Sequence, residues 1–214
     1  MADSENSRTL PAITCRNSLR TAEWFLSKNF CEQEQWAPDI RDVALTKWNA
    51  WRLAFQELDR LGQKQQELEA RMMSAAPAPQ VEIRLSGSAR PFVVSSVREI
   101  REGLRGDELA IARARAEAEL AARCRRWKSM DKAVGYSRAK RAADEASLVE
   151  ERLAADLSRA AAMTTVAAAG KLHCILERGS PSADSDEFPW PQARSLLVDI
   201  LAMHGVFTIG APAR

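Results

Sequence analysis

The chain has 214 residues, 31 Lys and Arg against 29 Asp and Glu, and a formal net charge of +2, so the whole molecule projects no strong field towards nucleic acid or membrane. That length fits one large domain, or a domain with an elongated extension. Cys15, Cys31, Cys124 and Cys174 show no C-x-x-C pairing, and no stretch approaches the ~18 apolar residues of a bilayer span, so a reduced, cytoplasmic protein with no membrane segment is expected.

Residues 1–16 are polar, carry Pro11 and read as a disordered N-terminus. Segment 17–73 reads as a short helix over 17–30, with Leu19, Trp24, Phe25 and Phe30, followed by a first long helix. Pro38 and Asp39 form its expected start, with the acid in the first turn where the helix dipole favours it. Ala44, Trp48, Trp51, Phe55 and Leu58 advance in steps of 4, 3, 4 and 3, and Leu61, Leu68 and Met72 carry the stripe on. This is the spacing of one buried seam. From Asp39 to Met73 the helix would measure about 52 Å.

Segment 74–106 is a connection. Pro77 and Pro79 stop the helix, Val81–Leu85 and Pro91–Val94 suit a minor β-hairpin, and Ser96-Val-Arg-Glu99 has capping-box form for a short helix ending near Gly103 or Gly106. Segment 107–160 is the second long helix, with Asp107 placed to cap it. Leu109, Ala112, Ala116, Leu120, Cys124, Trp127, Met130 and Val134 follow the helical period, and Ala142, Ala146, Val149, Leu153 and Leu157 resume it. Gly135 interrupts at about 1 kcal/mol. Either the chain folds back there or one helix continues; the continuous helix is favoured, because the first long helix needs a partner of matching length. Antiparallel packing would then face Trp48–Phe55 with Leu148–Leu157, and Leu61–Met72 with Leu109–Leu120.

Segment 161–205 reads as a helical knob. Thr164 or Thr165 caps a helix that Gly179 stops, and Pro191 opens a final helix bearing Leu196, Leu197, Ile200, Leu201 and Met203, with a stop at Gly205. Residues 206–214 form a tail. The fold class is therefore all-α: a long, coiled-coil-like antiparallel helical pair with a small C-terminal helical bundle.

Few residues suggest chemistry. Ala167-Ala-Ala-Gly170-Lys171 has the ending of a phosphate loop but lacks the upstream glycine, a following Ser or Thr, and a preceding strand. Lys171 is better read as laying its stem along the bundle. His173 and Cys174, with His204 further on, are the one His/Cys group. Adjacent helical positions point about 100° apart, which suits neither a shared metal nor a nucleophile pair. A buried cysteine beside a partly exposed histidine is expected. A helix-turn-helix reading of 157–176 fails because its second helix has no arginine before position 177.

Charge is more informative. Residues 113–141 hold ten Lys and Arg against three Asp and Glu, a net +7, while 142–214 hold six against ten. Arg123, Arg125, Arg126, Lys128, Lys132, Arg138, Lys140 and Arg141 fall mostly off the apolar seam, forming a candidate face for nucleic acid or an acidic partner. Trp48, Trp51 and Trp190 sit on apolar stripes and read as core. Trp24 and Trp36, in less regular context, are the candidate protein-interface residues.

Thr165-Val-Ala-Ala-Ala-Gly170-Lys171-Leu172, followed by Phe188-Pro-Trp190 and Arg194-Ser-Leu-Leu-Val-Asp199, resembles the C-terminal signature of short helical proteins from alphaproteobacterial genomes. The resemblance spans about the last quarter of the chain. It implies a recurring module and brings no activity with it.

The sequence thus points to a non-enzymatic helical scaffold or protein–protein interaction protein, self-associating or bound to a helical partner. It calls for no cofactor, metal, membrane or small-molecule substrate. The alternative is a nucleic-acid accessory protein, of mobile-element or phage kind, using residues 123–141.

Overall fold

The computed structural model describes residues 15–36, 42–76, 78–84, 91–182 and 185–206. Residues 1–14, Pro38–Asp39 and 207–214 lie outside that set, and with them nearly all of the expected disordered N-terminus, the helix start at Pro38 and most of the tail.

Helix α1 (Cys15–Trp36) is longer at both ends than the 17–30 span expected. No Gly or Pro interrupts it, and Pro38 disfavours helix in the residue before it. Cys15 and Arg16, expected in the disordered N-terminus, are the first residues of this helix. Helix α2 (Val43–Ala75) starts at Asp42, whose Oδ1 accepts the Ala44 N–H at 2.9 Å and whose carbonyl accepts the Thr46 N–H. Strands β1 (Val81–Ile83) and β2 (Phe92–Val94) pair antiparallel, with Val81 opposite Val94 and Ile83 opposite Phe92. Helix α3 (Val97–Gly103) has Ser96 as its N-cap. The Glu99 carboxylate answers to the N–H of Ser95 at 2.7 Å, one residue earlier than a standard capping box.

A short 3₁₀ turn, Asp107–Leu109, precedes α4 (Ala110–Val134), and α5 (Tyr136–Arg159) follows directly. The expected unbroken helix over 107–160 is corrected here. Gly135 lies in the left-handed region at φ 84° and ψ 21°, where a glycine meets no Cβ penalty. Its N–H closes α4 on the Asp131 carbonyl, and its own carbonyl accepts from Ala139 in α5. The Asp131 carboxylate takes the Ser137 N–H at 2.7 Å. These bonds satisfy the Gly135 and Ser137 N–H groups and the Asp131 and Gly135 carbonyls, and a one-residue joint replaces both the straight helix and the fold-back loop.

Helix α6 (Thr165–Gly179) is capped by Thr164, whose side chain accepts the Ala167 N–H. Helix α7 (Trp190–Met203) has Pro191 in its first turn. No described helix is long and apolar enough to cross a membrane.

The chain divides into two compact units. In the first, residues 1–57 and 147–214, α2 packs antiparallel against α5. Asp42 accepts from the Met163 N–H and the Thr164 hydroxyl, while further along α2 the Trp51 indole reaches Glu150. Trp48 and Trp51 are fully buried among Leu26, Leu157, Leu176 and Leu201. Burial of each indole contributes up to roughly 4–6 kcal/mol. Helix α1 packs on α6 and α7, so the C-terminal bundle includes the N-terminal helix.

In the second unit, residues 58–146, the core is Val81, Ile83, Val94, Ile100, Leu104, Ala116 and Leu120. The buried side of α4 is thus covered by the hairpin and α3. Leu68 and Met72 are buried outside that cluster, which corrects the expected facing of Leu61–Met72 with Leu109–Leu120. Arg113 donates to the Leu104 carbonyl at 3.0 Å and Arg101 pairs with Glu117 at 2.8 Å, fixing α3 to α4.

Candidate interaction surfaces

Trp24 lies on α1 one position before Phe25, which turns into the core. The rotation of about 100° per residue leaves the indole outside, 61% exposed. It borders a hollow of about 380 Å³ formed with Phe25, Lys28, Glu32, His204 and Val206. The Lys28 ammonium stands 5.8 Å from the Trp24 ring centroid and 3.8 Å from the Glu32 carboxylate, both charges facing water. His204 is held by the Thr165 hydroxyl at 2.8 Å and by a ring contact with Phe25. The turn that follows α7, His204 to Val206, therefore closes one side of the hollow. Trp36 ends α1, and its side chain lies outside the described set.

Lys28 and Glu32 were not singled out in the sequence, since an i,i+4 pair is usually only a solvated helix face. His204 could not be placed there either, because it lies 180 residues from Trp24 along the chain.

The eight basic residues of the candidate face are all exposed. Gly135 divides them: Arg123, Arg125, Arg126, Lys128 and Lys132 lie on α4, and Arg138, Lys140 and Arg141 lie on α5. Arg123 is committed to Glu119 and to the Gln80 carbonyl, and Lys140 to Asp144 at 3.5 Å. Arg125, Lys128 and Lys132 follow i, i+3, i+7 spacing and so share one face of α4, with Arg126 beside them. Among the described residues, none of these four makes an ion pair.

His173 is 3% exposed, which corrects the expectation of a partly exposed side chain. Ala169 and Gly170 let α6 approach α2 closely, and a Cβ at Gly170 would stand 3.0 Å from the Trp48 ring. The buried arc of α6 therefore takes in both His173 and Cys174. The Trp48 indole points its N–H at His173 Nδ1 (3.4 Å), which places the ring proton on Nε2. Burial lowers the His173 pKa to about 4, and burial pushes the Cys174 thiol up to about 12. Both side chains are neutral near pH 7.

A groove of about 410 Å³ runs between α5, α6 and α7, lined by Leu157, Lys171, Cys174, Ile175, Arg178 and Trp190. Its two cations are already engaged. Lys171 Nζ donates to the Ala160 carbonyl at 2.9 Å, and Arg178 Nε donates to Glu150 at 2.8 Å. Among the described residues no three His, Cys, Asp or Glu side chains converge as a metal site.

Comparison with known protein families, curated proteins and solved structures returns no match. Within the C-terminal signature, Gly170 seats Trp48, Trp190 packs on the core, and Arg194 holds the Ser185 carbonyl. These are packing roles.

Proposed function

We propose that the protein is a non-enzymatic helical scaffold that associates with a second copy of itself through the α1–α7 face around Trp24. The exposed indole beside a concave surface carries this reading, because a large aromatic anchor next to a pocket is the usual centre of a protein interface. The partner is a second copy because the face carries its own complement. In a two-fold arrangement, Lys28 of one copy can meet Glu32 of the other and the reverse. Their present pairing at 3.8 Å between exposed groups is weak enough to exchange.

Sedimentation velocity over a wide concentration range tests the proposal. The wild-type mass should rise with concentration and Trp24→Glu should remain monomeric. A wild type that stays monomeric throughout, or a Trp24→Glu variant that associates equally well, overturns it.

A further inference from the structure

We infer that the outward face of α4, continued by the start of α5, binds the phosphate backbone of a nucleic acid. The residue types on that face favour this occupant. Every exposed residue between Ala121 and Ala133 is an alanine, a serine, a lysine or an arginine. Of the acids nearby, Glu119 pairs with Arg123, while Asp131 is tied to the Ser137 N–H and forms no ion pair with the four cations. Arg125, Arg126, Lys128 and Lys132 make no ion pair among the described residues and leave the stretch strongly positive, and alanine and serine between them let the helix come close to a strand. A protein partner would call for a large apolar anchor, and the exposed positions of this stretch carry none, Trp127 and Met130 being half-buried. Repeated negative charge along a backbone needs only cations and close approach.

Arg125 to Lys132 spans about 10 Å of helix, enough to reach several phosphates. Past the Gly135 joint, Arg138 and Arg141 extend the basic series on α5. Both are exposed, and Arg141 donates to the Ser137 carbonyl at 3.4 Å. The face shares no residue with the Trp24 hollow, so the two readings stand or fall separately.

Fluorescence anisotropy with a labelled duplex DNA and a labelled single-stranded RNA tests the inference, using the full chain across a salt series. The four α4 cations alone give log affinity a slope of about −3.6 against log salt, so a fourfold rise in salt cuts affinity by at least roughly a hundredfold. The triple variant Arg125→Glu, Lys128→Glu, Lys132→Glu should lose about tenfold or more in affinity and about 3 of that slope. These side chains make no ion pair, and circular dichroism should show the fold retained. Lys64→Glu, Arg84→Glu, Arg98→Glu changes net charge equally at exposed sites elsewhere and should bind like the wild type.

Whichever of the DNA and RNA arms binds with this pattern identifies the source of the backbone. Failure of both to bind at low salt overturns the inference. So does an equal loss in the two triple variants, or a poly-glutamate peptide bound as tightly as the nucleic acids.

Discussion

Trp51 Nε1 donates a 2.5 Å hydrogen bond to Glu150 Oε1, and the same oxygen accepts Arg178 Nε at 2.8 Å. One buried carboxylate thus joins α2, α5 and α6, and the indole that fills the core also fixes the register of the antiparallel pair. An apolar residue in place of Trp51 could fill the volume without selecting that register.

Glu150→Leu should therefore destabilise the protein by about 1–3 kcal/mol, because the Trp51 N–H is left unpaired in the interior. Arg178 is 41% exposed and can turn to water, which keeps the loss below that of a fully buried ion pair. Glu150→Gln retains an acceptor for the indole and should lose less. Urea unfolding measures both, and equal stability of all three proteins would show that the link contributes nothing.

Two glycines in helices should respond oppositely to alanine. At Gly170 the new Cβ meets Trp48 atoms at 3.0, 3.2 and 3.3 Å, so Gly170→Ala should cost about 1–3 kcal/mol by forcing α6 from α2. At Gly62 nothing lies within 4 Å, and Gly62→Ala should add about 0.5–1 kcal/mol through helix propensity. Thermal melts of the pair decide the matter, and a shift of the same sign in both would contradict the packing described.

Gly135→Ala places a side chain at φ 84° and should cost about 1–2 kcal/mol. Gly135→Asn tolerates that conformation better and should fall between alanine and the wild type. If alanine proves neutral by chemical denaturation, the left-handed joint between α4 and α5 is wrong.

His173 gives the fold a pH dependence of known sign. Its pKa is depressed by burial from 6.5 to about 4, so between those values the unfolded chain binds a proton that the folded one refuses. The stabilisation is complete above about pH 6.5 and drains away as pH falls towards 4, by roughly 3 kcal/mol. Glu23, Arg52 and Glu177 surround the imidazole. Burial and Glu23 raise the Glu177 pKa, so that carboxyl protonates more readily when folded and offsets part of the loss at the acid end. His173→Gln should be less stable at pH 7.5 yet lose less between pH 7 and 5 than the wild type. Parallel pH profiles from urea midpoints would remove His173 as the cause.

Much of the fold was legible because its signals are local. The stripe through Ala44, Trp48 and Trp51, the Ser96 and Thr164 caps, the hairpin strands and Pro191 each act within a few residues of themselves. Other features were hidden because they depend on distant chain or on small terms. The helical period runs through Gly135 without a phase error, and the break there depends on the left-handed glycine together with the Asp131 carboxylate on the Ser137 N–H. The apolar stripe of α1 demanded burial but named no partner, so its packing on α6 and α7 could not be read. The inward turn of His173 follows from the close approach of Gly170 to Trp48 across 122 positions of sequence. Of the candidate surfaces, the basic residues and Trp24 were visible as residue types, whereas the hollow beside Trp24 needs the turn that follows α7.

The proposal of self-association rests on Lys28 and Glu32 meeting across a two-fold axis, and charge exchange tests it most directly. Lys28→Glu alone sets like charges against each other twice, as does Glu32→Lys alone. Mixing the two variants restores opposite charges at both contacts. Sedimentation should find each variant monomeric alone and a dimer in the equimolar mixture. If both variants associate as the wild type does, or the mixture stays monomeric, the α1–α7 face does not join two copies of this chain.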